Sequence, residues 1–93
     1  MKAIWQGAVI AESNDTIVVE NNHYFPEKDV QLAYLESSEK HSICPWKGEA
    51  SYYHVNVDGH KNSNAAWYYP KPRAAAQEIA GYIAFYKGVE IVP

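Results

Sequence analysis

The clearest pattern of apolar and polar positions lies in residues 50–57, ASYYHVNV. There Tyr53, Val55 and Val57 fall on one face of an extended segment and Tyr52, His54 and Asn56 on the other. The turn-rich DGHKNSN follows, and AAWYYP (65–70) reads as the returning strand, closed by Pro70 and Pro72. Upstream, KAIWQGAVIAES (2–13) is rich in β-branched and aromatic residues and runs into the turn-forming Ser13-Asn14-Asp15. The next run, TIVVENNHYF (16–25), alternates Ile17 and Val19 with Val18 and Glu20 and bends at residues 20–22. These two runs predict one antiparallel hairpin.

The middle and end of the chain are less regular. In PEKDVQLAYLESSEKH (26–41), Pro26 followed by Glu27 and Asp29 predicts one short helical turn near 27–31, and the rest reads as extended. The segment RAAAQEIAG (73–81) has alanine-rich helical propensity and a Gly81 stop, which predicts a helix of two turns. The final stretch YIAFYKGVEIVP gives a strand, a bend at Lys87-Gly88 and a last short strand. The expected fold is one mainly β domain over residues 1–93, α+β only in minor part. It is a compact antiparallel domain of six or seven short strands with one or two short helices.

Composition narrows the function classes. With 93 residues the chain is one domain, burying about 60–65% of the surface its unfolded form exposes. Basic residues are few and scattered, and the net charge is −3, so the concentrated positive footprint of a nucleic-acid polymer binder is missing. One cysteine excludes an internal disulfide and a thiolate zinc knuckle. The N-terminal stretch makes a poor signal peptide, and no apolar run approaches the ~20 residues that span a bilayer. The reading is a cytoplasmic protein with no membrane partner, its lone thiol kept reduced. Monomer and homodimer both stay open.

Aromatic residues change the picture most. Eight Tyr, three Trp and two Phe make up 14% of the chain, and such rings line pocket walls as readily as cores. If strands 50–57 and 65–70 pair, Tyr52, Tyr53, Trp67 and Tyr68 come together from neighbouring strands, and both sheet faces become aromatic. Packing accounts for one such face; the other suits a ligand or a partner. The second constellation is SICPWKGEASYYHV (42–55). Pro45 and Gly48 shape a rigid loop that carries Trp46 and Lys47 at its tip. Either Lys47 sits beside the indole as in an anion-plus-ring site, or Trp46 caps the core while Lys47 points into water. Cys44, with His41 and Lys47 each three residues away, is either a buried small apolar side chain or a nucleophile. The four histidines lack metal-site spacing, so no metal and no cofactor are expected.

The segments YFPEKDV (24–30), CPWKGEASYYHV (44–55), AAWYYPKP (65–72) and IAGYIAFYKGVEI (79–91) carry a resemblance in this order and over essentially the whole chain. They are similar to the bacterial and fungal domain of unknown function 427, sometimes labelled a nucleotidyltransferase-type domain. The resemblance implies a β-tent-like fold in which two antiparallel sheets meet at an angle. Zinc-bearing relatives of that fold include the ligand-binding domain of cereblon and methionine sulfoxide reductases of the B type. This chain lacks their four cysteines, which implies a zinc-free version. The cereblon-type aromatic cage implies, by fold analogy alone, a small cyclic ligand. The nucleotidyltransferase label finds no paired acidic residues at metal-binding spacing and no phosphate loop here.

The leading expectation is a small-molecule binding module for a small cyclic or nucleoside-like ligand. Trp46, Trp67, Tyr68, Tyr24 and Tyr53 would form its pocket walls, and Lys47 its polar contact. The rivals are an enzyme using Cys44 as nucleophile or redox centre with Lys47 beside it, and a protein-interaction domain.

Overall fold

The computed structural model describes all residues from Met1 to Pro93. In chain order its strands are β1 (Lys2–Trp5), β2 (Ala8–Glu12), β3 (Ile17–Val19), β4 (Asn22–Tyr24), β5 (Leu35–Cys44), β6 (Gly48–Val57), β7 (His60–Tyr68), β8 (Ile83–Phe85) and β9 (Glu90–Val92). Short 3-10 segments cover Glu27–Asp29, Leu32–Tyr34 and Ala74–Ile79. The strands form a central antiparallel sheet of order β5-β6-β7-β8, a sheet of order β2-β1-β9, and the β3-β4 hairpin. The domain is mainly β and its sheets are antiparallel, as expected, with one isolated parallel bridge between Tyr69 and Ala80.

There are nine strands rather than six or seven, and the turns explain the difference. KAIWQGAVIAES is not one strand but a hairpin folded at Gln6–Gly7, and TIVVENNHYF is a second hairpin folded at Glu20–Asn21. Both turns, like Asp58–Gly59 between β6 and β7, hold two central residues at positive φ. That geometry matches the right-handed twist of paired strands. Asp-Gly announces such a turn; Gln-Gly and Glu-Asn do not.

The expected two-turn helix over 73–81 is a 3-10 segment instead, interrupted at Ala76 with φ −122° and ψ 21°. The chain there is tied down at both ends. The Arg73 N–H donates to the Lys47 carbonyl at 2.9 Å and the Gly81 N–H to the Tyr69 carbonyl at 3.1 Å. With Ala76 and Ile79 pressed into the core between those ties, tertiary geometry overrides alanine's helical propensity.

The central sheet has a core on each face. On one side Val55, Val57, Ala66, Ile83 and Phe85 pack against Ala3, Ile10 and Ala11 of the first sheet. On the other, Ala50, Tyr69 and Ala84 pack against Tyr24 of β4 and against Ala76 and Ile79. Adjacent Tyr24 and Phe25 enter opposite cores, as strand parity requires. A bulge between Tyr53 and Val55 resets the β6-β7 register, with Asn64 at φ 56° and its N–H bonded to His54 Nδ1 at 3.0 Å.

Candidate functional site

The Cys-Pro-Trp-Lys-Gly segment closes the β5-β6 hairpin, with Cys44 paired to Gly48. Gly48 has φ +109°, and a Cβ there would lie 3.5 Å from the Arg73 nitrogen and 3.6 Å from the Lys71 carbonyl oxygen. Those are ordinary contact distances, so it is the backbone conformation rather than the space that favours glycine here. The Arg73 N–H holds the Lys47 carbonyl there. The two side chains at the tip take the reverse of the packing alternative: Trp46 is 40% exposed, and Lys47 is only 6% exposed.

Lys47 is the one fully charged side chain among the buried residues. Its ammonium bonds the carboxylate of Glu20, from the turn of the β3-β4 hairpin. It also lies 5.2 Å from the ring centroid of Trp46 and 5.6 Å from that of Tyr69, both within cation–π reach. Burial by itself would lower the Lys47 pKa. The bond to Glu20 and its surroundings outweigh that, so the pKa ends above the usual lysine value and the charge is kept. In turn, the Lys47 ammonium holds the Glu20 carboxyl below its ordinary range, with a smaller contribution from the Trp46 indole.

A row of rings continues from Lys47 across this face. Tyr24 and Tyr69 are buried, Tyr52 and Trp67 are half-buried, and Tyr86 is 37% exposed. The Trp67 indole N–H donates to the Tyr24 hydroxyl at 3.1 Å. Trp67 meets Tyr24 edge-on at 6.1 Å between centroids and Tyr86 edge-on at 5.0 Å. The Tyr52 and Ser42 hydroxyls share a hydrogen bond of 2.8 Å. Burial raises the Tyr24 pKa and pushes Tyr69 up to about 12, so both phenols stay protonated beside the lysine. Cys44 packs half-buried against the same cluster.

The residues expected to form one pocket are therefore divided. Trp46, Lys47, Trp67 and Tyr24 share one side of the sheet. Tyr53 and Tyr68 lie on the other, stacked on each other at 4.7 Å and packed against the first core. The split follows from parity: Trp67 and Tyr68 are consecutive in β7, and their cross-strand partners are Tyr52 and Ser51. The residues that sequence reasoning left out of the site are Glu20, Tyr52, Tyr69 and Tyr86. Tyr52 and Tyr69 follow from the same alternation that finds Trp67. Glu20 is signalled only by a glutamate in a two-residue turn, where glycine or asparagine is usual.

Two cavities, of about 350 and 410 Å³, lie elsewhere, around Met1, Glu12 and Asp29 and around Val9, Val30 and Gln31. None of the aromatic residues above borders either one. The aromatic side is an open surface with the β3-β4 turn reaching over Lys47. No three His, Cys, Asp or Glu side chains converge on a point that would hold a metal. His23, His41 and His54 are engaged with Thr16, Ser51 and the Asn64 backbone.

Among known families, the model of a domain of unknown function (DUF427), labelled NTP_transf_9, matches residues 1–92. A search of curated proteins finds no match. No helix is long and apolar enough to cross a membrane.

Proposed function

Because the chain belongs to the domain of unknown function 427 family, whose description fixes no activity, we propose its function from the site itself. It is a small-molecule binding module of the cytoplasm. It seats a small cyclic or nucleoside-like ligand against Trp46, Trp67 and the neighbouring tyrosines, with Lys47 contacting the ligand's polar or anionic edge. Tyr24 supports the wall from behind through its bond to Trp67. The supporting observation is an ammonium kept charged while 94% buried, at one end of a row of rings that remain partly open to solvent. Burying a lysine is costly, whereas a fixed ammonium beside aromatic faces suits an anionic or polar ring compound.

The test is intrinsic tryptophan fluorescence titrated with nucleosides, nucleotides and small cyclic metabolites. The expected result is a saturable change that Trp67→Phe or Trp46→Phe removes. No response from any ring compound overturns the reading. One observation favours a second: Cys44 packs half-buried against the cluster that holds Tyr69, a ring flanking the Lys47 ammonium, and a thiol nucleophile needs a cation or base nearby. A folded-state thiol inert to iodoacetamide removes it.

A further inference from the structure

The binding reading leaves one feature unexplained: the aromatic side carries a buried cation but no open cavity. The group that fills the position is Glu20. Its carboxylate is the only one bonded to Lys47, and it lies against the ammonium that Trp46 and Tyr69 flank.

The two members of this ion pair are unlike. The Lys47 side chain is 7% exposed, whereas that of Glu20 is 55% exposed. Lys47 is fixed by a loop whose backbone is bonded to Arg73 and whose Gly48 packs on Lys71 and Arg73. Glu20 stands in a two-residue turn, at φ 52° next to Asn21 at φ 65°, between strands of three residues each. An ion pair that served stability alone would gain little from an acidic member so open to solvent. The cation sits in a buried loop, and the carboxylate on a solvent-facing turn.

Resting on the binding-module reading, we infer that Glu20 occupies the seat of the ligand's own carboxylate, and that the natural ligand is a planar ring compound bearing a carboxylate, which displaces Glu20 from Lys47. Exchange of one carboxylate for another leaves the buried ammonium paired at both ends of the process, so its desolvation is never uncompensated. The displaced Glu20 moves into water, which its exposure already permits. The ligand's ring then lies along Trp46 towards Trp67, where a neutral ring could also rest, more weakly.

The probes are benzoate and its neutral isostere benzamide, followed by tryptophan fluorescence on the native protein, Glu20→Gln and Lys47→Met. A seat filled nine-tenths of the time by an internal group weakens an incoming ligand about tenfold. Glu20→Gln should therefore bind benzoate about tenfold more tightly than the native protein, with benzamide unchanged. Lys47→Met should lose the preference for benzoate. Because a variant can misfold, the native protein supplies a second readout. Saturating benzoate should return the Glu20 side-chain carbonyl resonance, and its lowered pKa, towards an unpaired glutamate's. If benzamide binds but Glu20→Gln leaves benzoate affinity unchanged or weaker, the seat is refuted and the binding module stands. If no ring compound binds any variant, both fail.

Discussion

Lys47 carries its charge into a place where folding has little use for it. One carboxylate and two ring faces surround the ammonium, yet a buried ion pair seldom repays the desolvation of its ions, and a hydrophobe of similar volume often serves as well. Lys47→Met is therefore expected to keep stability within about 1 kcal/mol of the native protein or to exceed it, read by urea denaturation. Glu20, exposed, goes free into water. A loss above about 3 kcal/mol would make Lys47 a structural residue. The buried phenols give a second expectation. Tyr53 and Tyr69 are both pushed up to about 12, chiefly by burial, against an ordinary value of 10.0. Unfolding lets them ionise earlier, so their contribution to stability is whole below pH 10 and is lost as pH rises towards 12. Melting followed between pH 9 and 12 should show that fall, with Tyr69→Phe reducing it; a flat profile contradicts it. At this scale the sequence singles out Trp46 and Lys47 as a pair but not which of them turns inward. The partners that meet Lys47 when it turns inward, Glu20 and Tyr69, lie far away along the chain.

Among the elements, alternation reads well and turns read unevenly. Tyr52, Tyr53, Val55 and Val57 stand on the faces their parity assigns, and β6 pairs with β7 as expected. The β1-β2 and β3-β4 hairpins escape notice because Gln6 and Glu20 occupy turn positions that their residue types do not favour. The alanine run at 74–76 misleads in the other direction. Its propensity is real, but a short piece bonded to Lys47 and Tyr69 at its two ends has no room to wind into α-helix. What holds this piece is burial, above all of Ile79, which is 0% exposed. Ile79→Ala should cost about 2–5 kcal/mol in chemical denaturation, whereas Ala75→Gly, on the exposed side of the same segment, should cost much less. Equal losses would mean that helical propensity, not packing, keeps the segment in place.

On the scale of the whole molecule, one sheet serves two cores. Strands β6, β7 and β8 give Val55, Ala66 and Phe85 to one and Ala50, Trp67 and Ala84 to the other. The aromatic wealth of the composition is thereby shared out: Phe25 and Phe85 meet at 5.7 Å on the first side, and Tyr24 and Trp67 on the second. An aromatic fraction of 14% says nothing about that division, which only parity and the bulge at Tyr53–Val55 decide. The seat of Glu20 is further from view still, because it joins a turn and a loop that are 27 positions apart.

The same division equips the molecule with an internal standard. Trp5 packs against the first core and Trp67 against the second, while Trp46 stands 40% exposed beside the lysine. Two of these emitters report on one face of the sheet and the third on the other. A compound that changes Trp46 and Trp67 and leaves Trp5 silent has touched one face locally, whereas a signal in which Trp5 joins the others announces that the shared sheet itself has come apart.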